Sequence, residues 1–124
     1  MTIGKPLISI VFPAHHGLPY LVQTLQSALE LTDVDVEFIV SIDGDYQATK
    51  LALGAFDDRR LRVFSTPKES SLSMAEHWEF ALARANGEWV MFVGQDDGLF
   101  PFSIALAKHL TRRAEKLQLR TIVA

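Results

Sequence analysis

Residues 7–17 read Leu7-Ile8-Ser9-Ile10-Val11-Phe12-Pro13-Ala14-His15-His16-Gly17. A nearly continuous β-branched and aromatic run, rather than an apolar/polar alternation, is what a strand covered on both faces looks like. Pro13 is predicted to end it. Beyond it Tyr20, Leu21, Leu25, Ala28 and Leu29 recur at helical spacing, predicting a helix from about Pro19 to Leu31. Val36-Glu37-Phe38-Ile39-Val40-Ser41-Ile42 is a second buried strand, stopped by the turn residues Asp43-Gly44-Asp45. A weaker helix follows from Gln47 to Phe56, then a short strand over Leu61 to Phe64 and a polar loop from Ser65 to Ser71. Ser73 with Glu76 forms a capping-box pattern for a third helix, whose inner face is read as Trp78, Leu82 and Ala85 and which Asn86-Gly87 closes. Trp89-Val90-Met91-Phe92-Val93 is the fourth strand, broken by Gly94-Gln95-Asp96-Asp97-Gly98. Pro101 opens a long helix through Ile104, Leu106, Ala107, Leu110 and Ala114, with a basic end at Arg112, Arg113 and Lys116. Leu119 to Ala124 reads as a fifth strand.

Strands alternating with helices predict an α/β fold: a three-layer α-β-α sandwich with a mainly parallel sheet and right-handed crossovers. Residues 1–124 form a single domain in this reading, 48% hydrophobic and 22% charged, with a net charge of -3. A chain of this size buries roughly two-thirds of its unfolded surface and needs no disulfide or structural metal to hold a core. With Cys 0, thiolate zinc sites and cysteine nucleophiles are excluded. No apolar stretch approaches the ~20 residues of a membrane span, and the single Lys5 does not make a signal peptide, so the expected location is cytoplasmic, at most peripheral to a membrane. The slightly acidic balance lacks the positive field that nucleic-acid binding uses.

In a parallel sheet of this kind ligands bind outside the carboxyl ends of the strands, where strand order reverses. Polar residues follow strand ends at Pro13-Ala14-His15-His16-Gly17, Asp43-Gly44-Asp45 and Gln95-Asp96-Asp97-Gly98, and these three segments are expected to share one crevice. Asp96-Asp97 is a compact pair of hard-oxygen donors, suited to Mg²⁺ or Mn²⁺ with a phosphate-bearing ligand; on its own it is also an ordinary turn. Asp43 can accept a pyrimidine ring N–H or a ribose hydroxyl, or else cap the helix that follows it. His15 and His16 point opposite ways on extended backbone, which argues against a shared metal and for a ring beside a base, or for plain loop histidines. His77 can face the crevice, with Trp78 in the core. Lys68 is a phosphate-contact candidate, whereas His109 and the Arg59-Arg60 pair read as surface residues. No hydrolase triad, Walker-A loop or Gly-x-Gly-x-x-Gly fingerprint is present.

Taken in order, these segments resemble the nucleotide-sugar-binding half of family 2 inverting glycosyltransferases of the GT-A fold. The resemblance rests on Pro6 to His16, on Val36 to Asp45, on Leu72-Ser73-Met74-Ala75-Glu76-His77-Trp78 with Ala85-Asn86-Gly87-Glu88-Trp89-Val90, and on Gln95-Asp96-Asp97-Gly98 with Pro101. It implies that Pro13, Ala14 and His15 line the base pocket, that Asp43 bonds the base, Asp96 the ribose, and that Asp97 holds the divalent cation, Mn²⁺ or Mg²⁺, bridging the diphosphate. A UDP-sugar is the implied donor, and a hydroxyl compound the acceptor. Ile42 replaces the first Asp of the family's Asp-Asp-Gly, His15-His16 its Tyr-Asn pair, and His77 an Asn common in relatives with this helix pattern. The resemblance also places the acceptor half and the catalytic base beyond Asp97, in sequence this chain does not contain. The expectation is therefore a donor-binding half-domain, weakly active or inactive alone, that forms a homodimer through its C-terminal edge. A non-catalytic, self-associating nucleotide-binding module is the alternative reading; a sugar-phosphate nucleotidyltransferase would need the glycine-rich first loop that Pro13 to Gly17 lacks.

Overall fold

A computed structural model describes residues 5–18, 20–31, 35–67, 72–94 and 103–120. Strands β1 (Ile8–His15), β2 (Val36–Asp43), β3 (Leu61–Ser65) and β4 (Trp89–Phe92) alternate with helices α1 (Tyr20–Leu29), α2 (Tyr46–Leu53), α3 (Met74–Leu82) and α4 (Ser103–Lys116). The sheet has the order β3-β2-β1-β4 with every pairing parallel, so strand order reverses between β1 and β4. The predicted α/β sandwich is the observed one.

Side-chain alternation divides the core between two faces. Ile8, Ile10, Phe12 and Ala14 of β1 and Val36, Phe38, Val40 and Ile42 of β2 pack with Leu21, Leu25 and Ala28 of α1, Leu53 of α2 and Ile104 of α4. On the opposite face Val11 and Ile39 pack with Ala81 of α3. The inward side chains of β1 and β2 are almost all below 3% exposed, which explains why neither strand alternates in sequence.

Four details differ from the sequence reading. Pro13 lies within β1 rather than ending it. β4 pairs only with Ile8 to Val11, and its last rung is the Val93 N–H to Val11 carbonyl bond at 2.9 Å, whereas pairing with β2 runs on to His15 and Asp43. Pro13 therefore sits where β1 has one partner strand left, the setting in which a missing N–H costs nothing. The inner face of α3 is His77 and Ala81, not Trp78 and Leu82, which are 40% and 46% exposed; Trp78 stacks on Phe92 of the edge strand at 4.5 Å. Gly87 does not close α3, which ends at Leu82. A Cβ there would stand 2.6 Å from the Ser9 N and 2.7 Å from its Oγ, so glycine is required for close approach to β1. Arg60 is not a surface residue: its side chain is 11% exposed and donates to the carbonyls of Leu29 and Leu31, capping the carboxyl end of α1, and to Asp58.

The capping box forms as predicted, with Glu76 N–H bonded to Ser73 Oγ and Ser73 N–H to Glu76 Oε1. Leu119 and Arg120 belong to no strand, and the rest of the predicted fifth strand, from Thr121, lies outside the described residues. No helix among the described residues is long and apolar enough to cross a membrane.

Candidate functional site

The carboxyl ends of β1 and β2 are level, because the parallel register pairs His15 with Asp43. His15 Nδ1–H donates to the Asp43 carbonyl at 2.8 Å, which closes the ladder through a side chain. Past the strands the chain turns sharply: Gly44 has φ 86 and Asp45 φ 53, and across from them His16 has φ 48. Gly44 is a glycine for a second reason, since a Cβ on it would lie 3.1 Å from His16 Nε2. The two imidazoles meet edge to face with centroids 4.3 Å apart, and His16 Nδ1 bonds the Asp45 carboxylate, tying the two loops together.

Asp43 does not cap α2. Asp45 occupies that position, and without a side-chain capping bond. The Asp43 carboxylate instead accepts from Thr66 Oγ1 at 2.8 Å through Oδ1, while Oδ2 is 3.8 Å from His15 Nδ1, beyond hydrogen-bond reach. Thr66 is buried just past β3, and its N–H donates to the Ile42 carbonyl at 2.9 Å. A cleft of about 440 Å³ opens over this floor, lined by His15, Asp43, Gly44, Tyr46, Gln47 and Thr66 among others. A larger groove of about 730 Å³ runs along β4 between Leu82 of α3 and Leu110 of α4; it is away from the carboxyl ends of β1 and β2 and lacks converging acids or histidines.

Asp43 shares its face of β2 with Ser41, and beneath both stands α3. His77 Nε2 lies 3.0 Å from Ser41 Oγ and 3.2 Å from the Ser41 carbonyl, and both residues are buried. Burial pushes the His77 pKa below the ordinary imidazole value, with Asp43 acting in the opposite sense. His77 is thus the neutral donor to that carbonyl at neutral pH.

Of the site residues expected from sequence, His15 and Asp43 come together in the cleft. Pro13 is half-buried, and the Ala14 side chain is 1% exposed within the core on the other face, so neither lines the cleft wall. Asp96, Asp97, Lys68 and Pro101 lie outside the described residues. Among the described residues no group of three or more His, Cys, Asp or Glu could hold a metal ion. Thr66 and Ser41 were not anticipated; the strand-end rule, applied to β3 as it was to β1 and β2, points to Thr66.

The sequence profile described as Glycosyl transferase family 2 matches residues 9–112. The uncharacterized glycosyltransferase EpsJ of Bacillus subtilis (strain 168) is 33% identical over 116 residues, covering 92% of this chain and 32% of the relative. Among solved structures, S. aureus TarS 1-349 in complex with UDP-GlcNAc superposes with a TM-score of 0.74 at 21% identity, covering 87% of this chain and 32% of that one. The mannosyltransferase PcManGT from Pyrobaculum calidifontis, in complex with GDP-Man and Mn²⁺, gives 0.66 at 22% identity, covering 86% and 32%. The chain spans between 30% and 38% of the length of the first four curated relatives it matches.

Proposed function

The chain belongs to glycosyl transferase family 2, and from that premise we propose that it is the donor-binding part of a glycosyltransferase that takes a UDP-sugar and delivers the sugar to an acceptor hydroxyl. In this reading the base lies beside His15 in the cleft and gives its ring N–H to Asp43, while Pro13 and Ala14 shape the end of β1 that carries His15 rather than touching the base. The ribose meets Asp96, and the diphosphate reaches the protein through a divalent cation, Mn²⁺ or Mg²⁺, at Asp97. The observation that carries the reading is the Asp43 carboxylate at the carboxyl end of β2, oriented by Thr66 in the floor of the cleft. A carboxylate with one oxygen engaged by a hydroxyl presents a fixed acceptor, and a planar base offering an N–H fits it.

The cation belongs to the reading through donor chemistry. Adjacent aspartates supply the hard oxygens that Mg²⁺ and Mn²⁺ take, and when bound the cation would offset the charge of the diphosphate. This chain's own task is to hold the nucleoside: His15 is fixed against Asp43, Thr66 fixes the carboxylate, and the loop tie between His16 and Asp45 keeps the two strand ends together.

Titration calorimetry with UDP tests the proposal. UDP is expected to bind in Mn²⁺ and to lose measurable binding in chelator, with Asp97→Ala abolishing the difference. Asp43→Asn is expected to weaken binding about 10- to 100-fold, the equivalent of one hydrogen bond to a charged acceptor. Equal affinity with and without chelator would refute the metal assignment, and unchanged affinity in Asp43→Asn the base assignment.

A further inference from the structure

The nucleotide reading uses Asp43 but leaves unexplained why a histidine is buried two residues below it. His77 is 5% exposed and Ser41 0% exposed, and a titratable imidazole in such a place must be bonded to be tolerated. Its Nε2 is within hydrogen-bond reach of both oxygens of Ser41, at 3.0 Å and 3.2 Å. A carbonyl only accepts, so Nε2 carries the proton and donates. Next along this face α3 meets apolar side chains, Val11 and Ile39 against Ala81 with Phe64 and Phe92 packed beside them, and the following polar group on β2 is Glu37, whose partner Asn86 lies past the end of α3. Among the described residues, His77 and Ser41 make the polar connection between α3 and β2 at the level immediately beneath the cleft. Side chains repeat every second residue on a strand, so fixing Ser41 fixes the direction in which Asp43 leaves β2.

We propose that His77 is a positioning residue for nucleoside diphosphate binding, holding the Asp43 carboxylate in its productive orientation through Ser41. The inference rests on the reading of the cleft as the nucleotide site. Its action is mechanical: α3 is anchored by its own capping box at Ser73, and the imidazole transmits that anchor to the end of β2. Among the described residues, Asp43 from β2 and His15 from β1 are the titratable groups that act on His77. Thr66 holds the same carboxylate from β3, so Asp43 is fixed from two directions.

The test is UDP affinity, in Mg²⁺, of this chain and its His77→Leu, His77→Gln, Asp43→Asn and His77→Leu/Asp43→Asn variants. Leucine fills the space without a donor, whereas the glutamine amide reaches Ser41 as Nε2 does. His77→Leu is expected to weaken UDP binding about 10-fold, with a native circular dichroism spectrum, and His77→Gln to restore it to within about 3-fold of the parent. In the Asp43→Asn background the leucine substitution is expected to cost less than 2-fold, because its effect runs through that carboxylate. Equal loss in both backgrounds, or no loss in the parent, overturns the role of His77 while leaving the cleft assignment standing. Failure of the unaltered chain to bind UDP overturns the cleft assignment, and this inference with it. Should His77→Leu not fold, the His77 ring resonances of the unaltered chain decide the matter: their titration midpoint is expected to move on addition of UDP with Mg²⁺, and an unmoved midpoint overturns the proposal.

Discussion

Replacing Glu37 by alanine should be among the most damaging single changes this fold can suffer outside its apolar core. Glu37 is the second residue of β2, 5% exposed, and it takes three donors. Ser9 Oγ–H reaches Oε2 at 2.5 Å, the Asn86 N–H reaches the same oxygen at 2.6 Å, and Arg62 reaches Oε1 at 3.0 Å. Ser9 in turn accepts from the Gly87 N–H at 2.7 Å, so one carboxylate joins β1, β2, β3 and the entry to β4. Hydrogen bonds to a charged group are worth about 1.5–3 kcal/mol each, and removing one member of a buried ion pair costs about 3–5 kcal/mol. The Arg62 side chain is 38% exposed and can turn to water, so the lower part of that range applies.

Glu37→Ala is accordingly expected to cost about 3–4 kcal/mol, or roughly 10–15 °C in Tm for a domain of this size. Glu37→Gln keeps an oxygen for Ser9 and Asn86 and turns an amide toward Arg62, so it should cost about 1–2 kcal/mol. Arg62→Ala should fall in the same lower range. Urea unfolding followed by tryptophan fluorescence measures all three; the chain has two tryptophans, and one of them, Trp89, begins β4 beside this network. If Glu37→Ala and Arg62→Ala cost the same and both fall below about 1 kcal/mol, the carboxylate is only a surface ion-pair partner and the reasoning fails.

Gly87→Ala should destabilise by about 2–3 kcal/mol, read from the same urea transitions, because the new methyl would meet the backbone of Ser9; an effect below about 0.5 kcal/mol would show that the approach is not tight. The bond from Arg60 holds the Asp58 carboxyl below its usual range, so its stabilisation is complete above the unfolded value and drains away as pH falls through the folded one; Asp58→Asn should flatten that acidic limb of Tm against pH. His77 is likewise depressed, by burial, so the unfolded chain binds the extra proton first. Stability should decline as pH drops below the ordinary imidazole value of about 6.5, and His77→Gln should remove that decline. An unchanged pH profile in either variant counts against the corresponding contact.

What the sequence made legible follows from range. Strand burial is written in consecutive side chains, so the runs at Leu7 and Val36 announced a sheet covered on both faces, and Ser73 with Glu76 announced their own capping box. Orientation of α3 was misread because Trp78, Leu82 and Ala85 have the spacing of a core stripe, whereas the helix turns so that His77 can meet Ser41, 36 residues away. Trp78 is released from the core because Phe92 on an edge strand offers it a partly open stacking surface. The Glu37 network is equally non-local: its partners come from 28, 25 and 49 residues away, and no window on the sequence contains them. Asp43 and His15 were legible because the strand-end rule needs only the end of a buried run and a polar residue after it.

Glu37 and Asp43 lie on one strand and one face of the sheet, and the contrast between them separates structure from function. Three donors occupy both oxygens of Glu37, which is 5% exposed, and the residues supplying them fix one another, so a ligand has no open approach to it. Asp43, at the other end of the strand, takes one donor bond among the described residues, from Thr66, and looks onto a cleft. Folding alone would favour burial among several donors there too, as at Glu37, rather than an oriented carboxylate open to a cleft. The fold nevertheless spends Thr66, and beneath it His77 and Ser41, on the surroundings of a group that β-pairing does not require. Positioning a partly satisfied acceptor makes physical sense when a donor arrives from outside, and the flat ring N–H of a nucleobase is a donor that a cleft between two strand ends can admit.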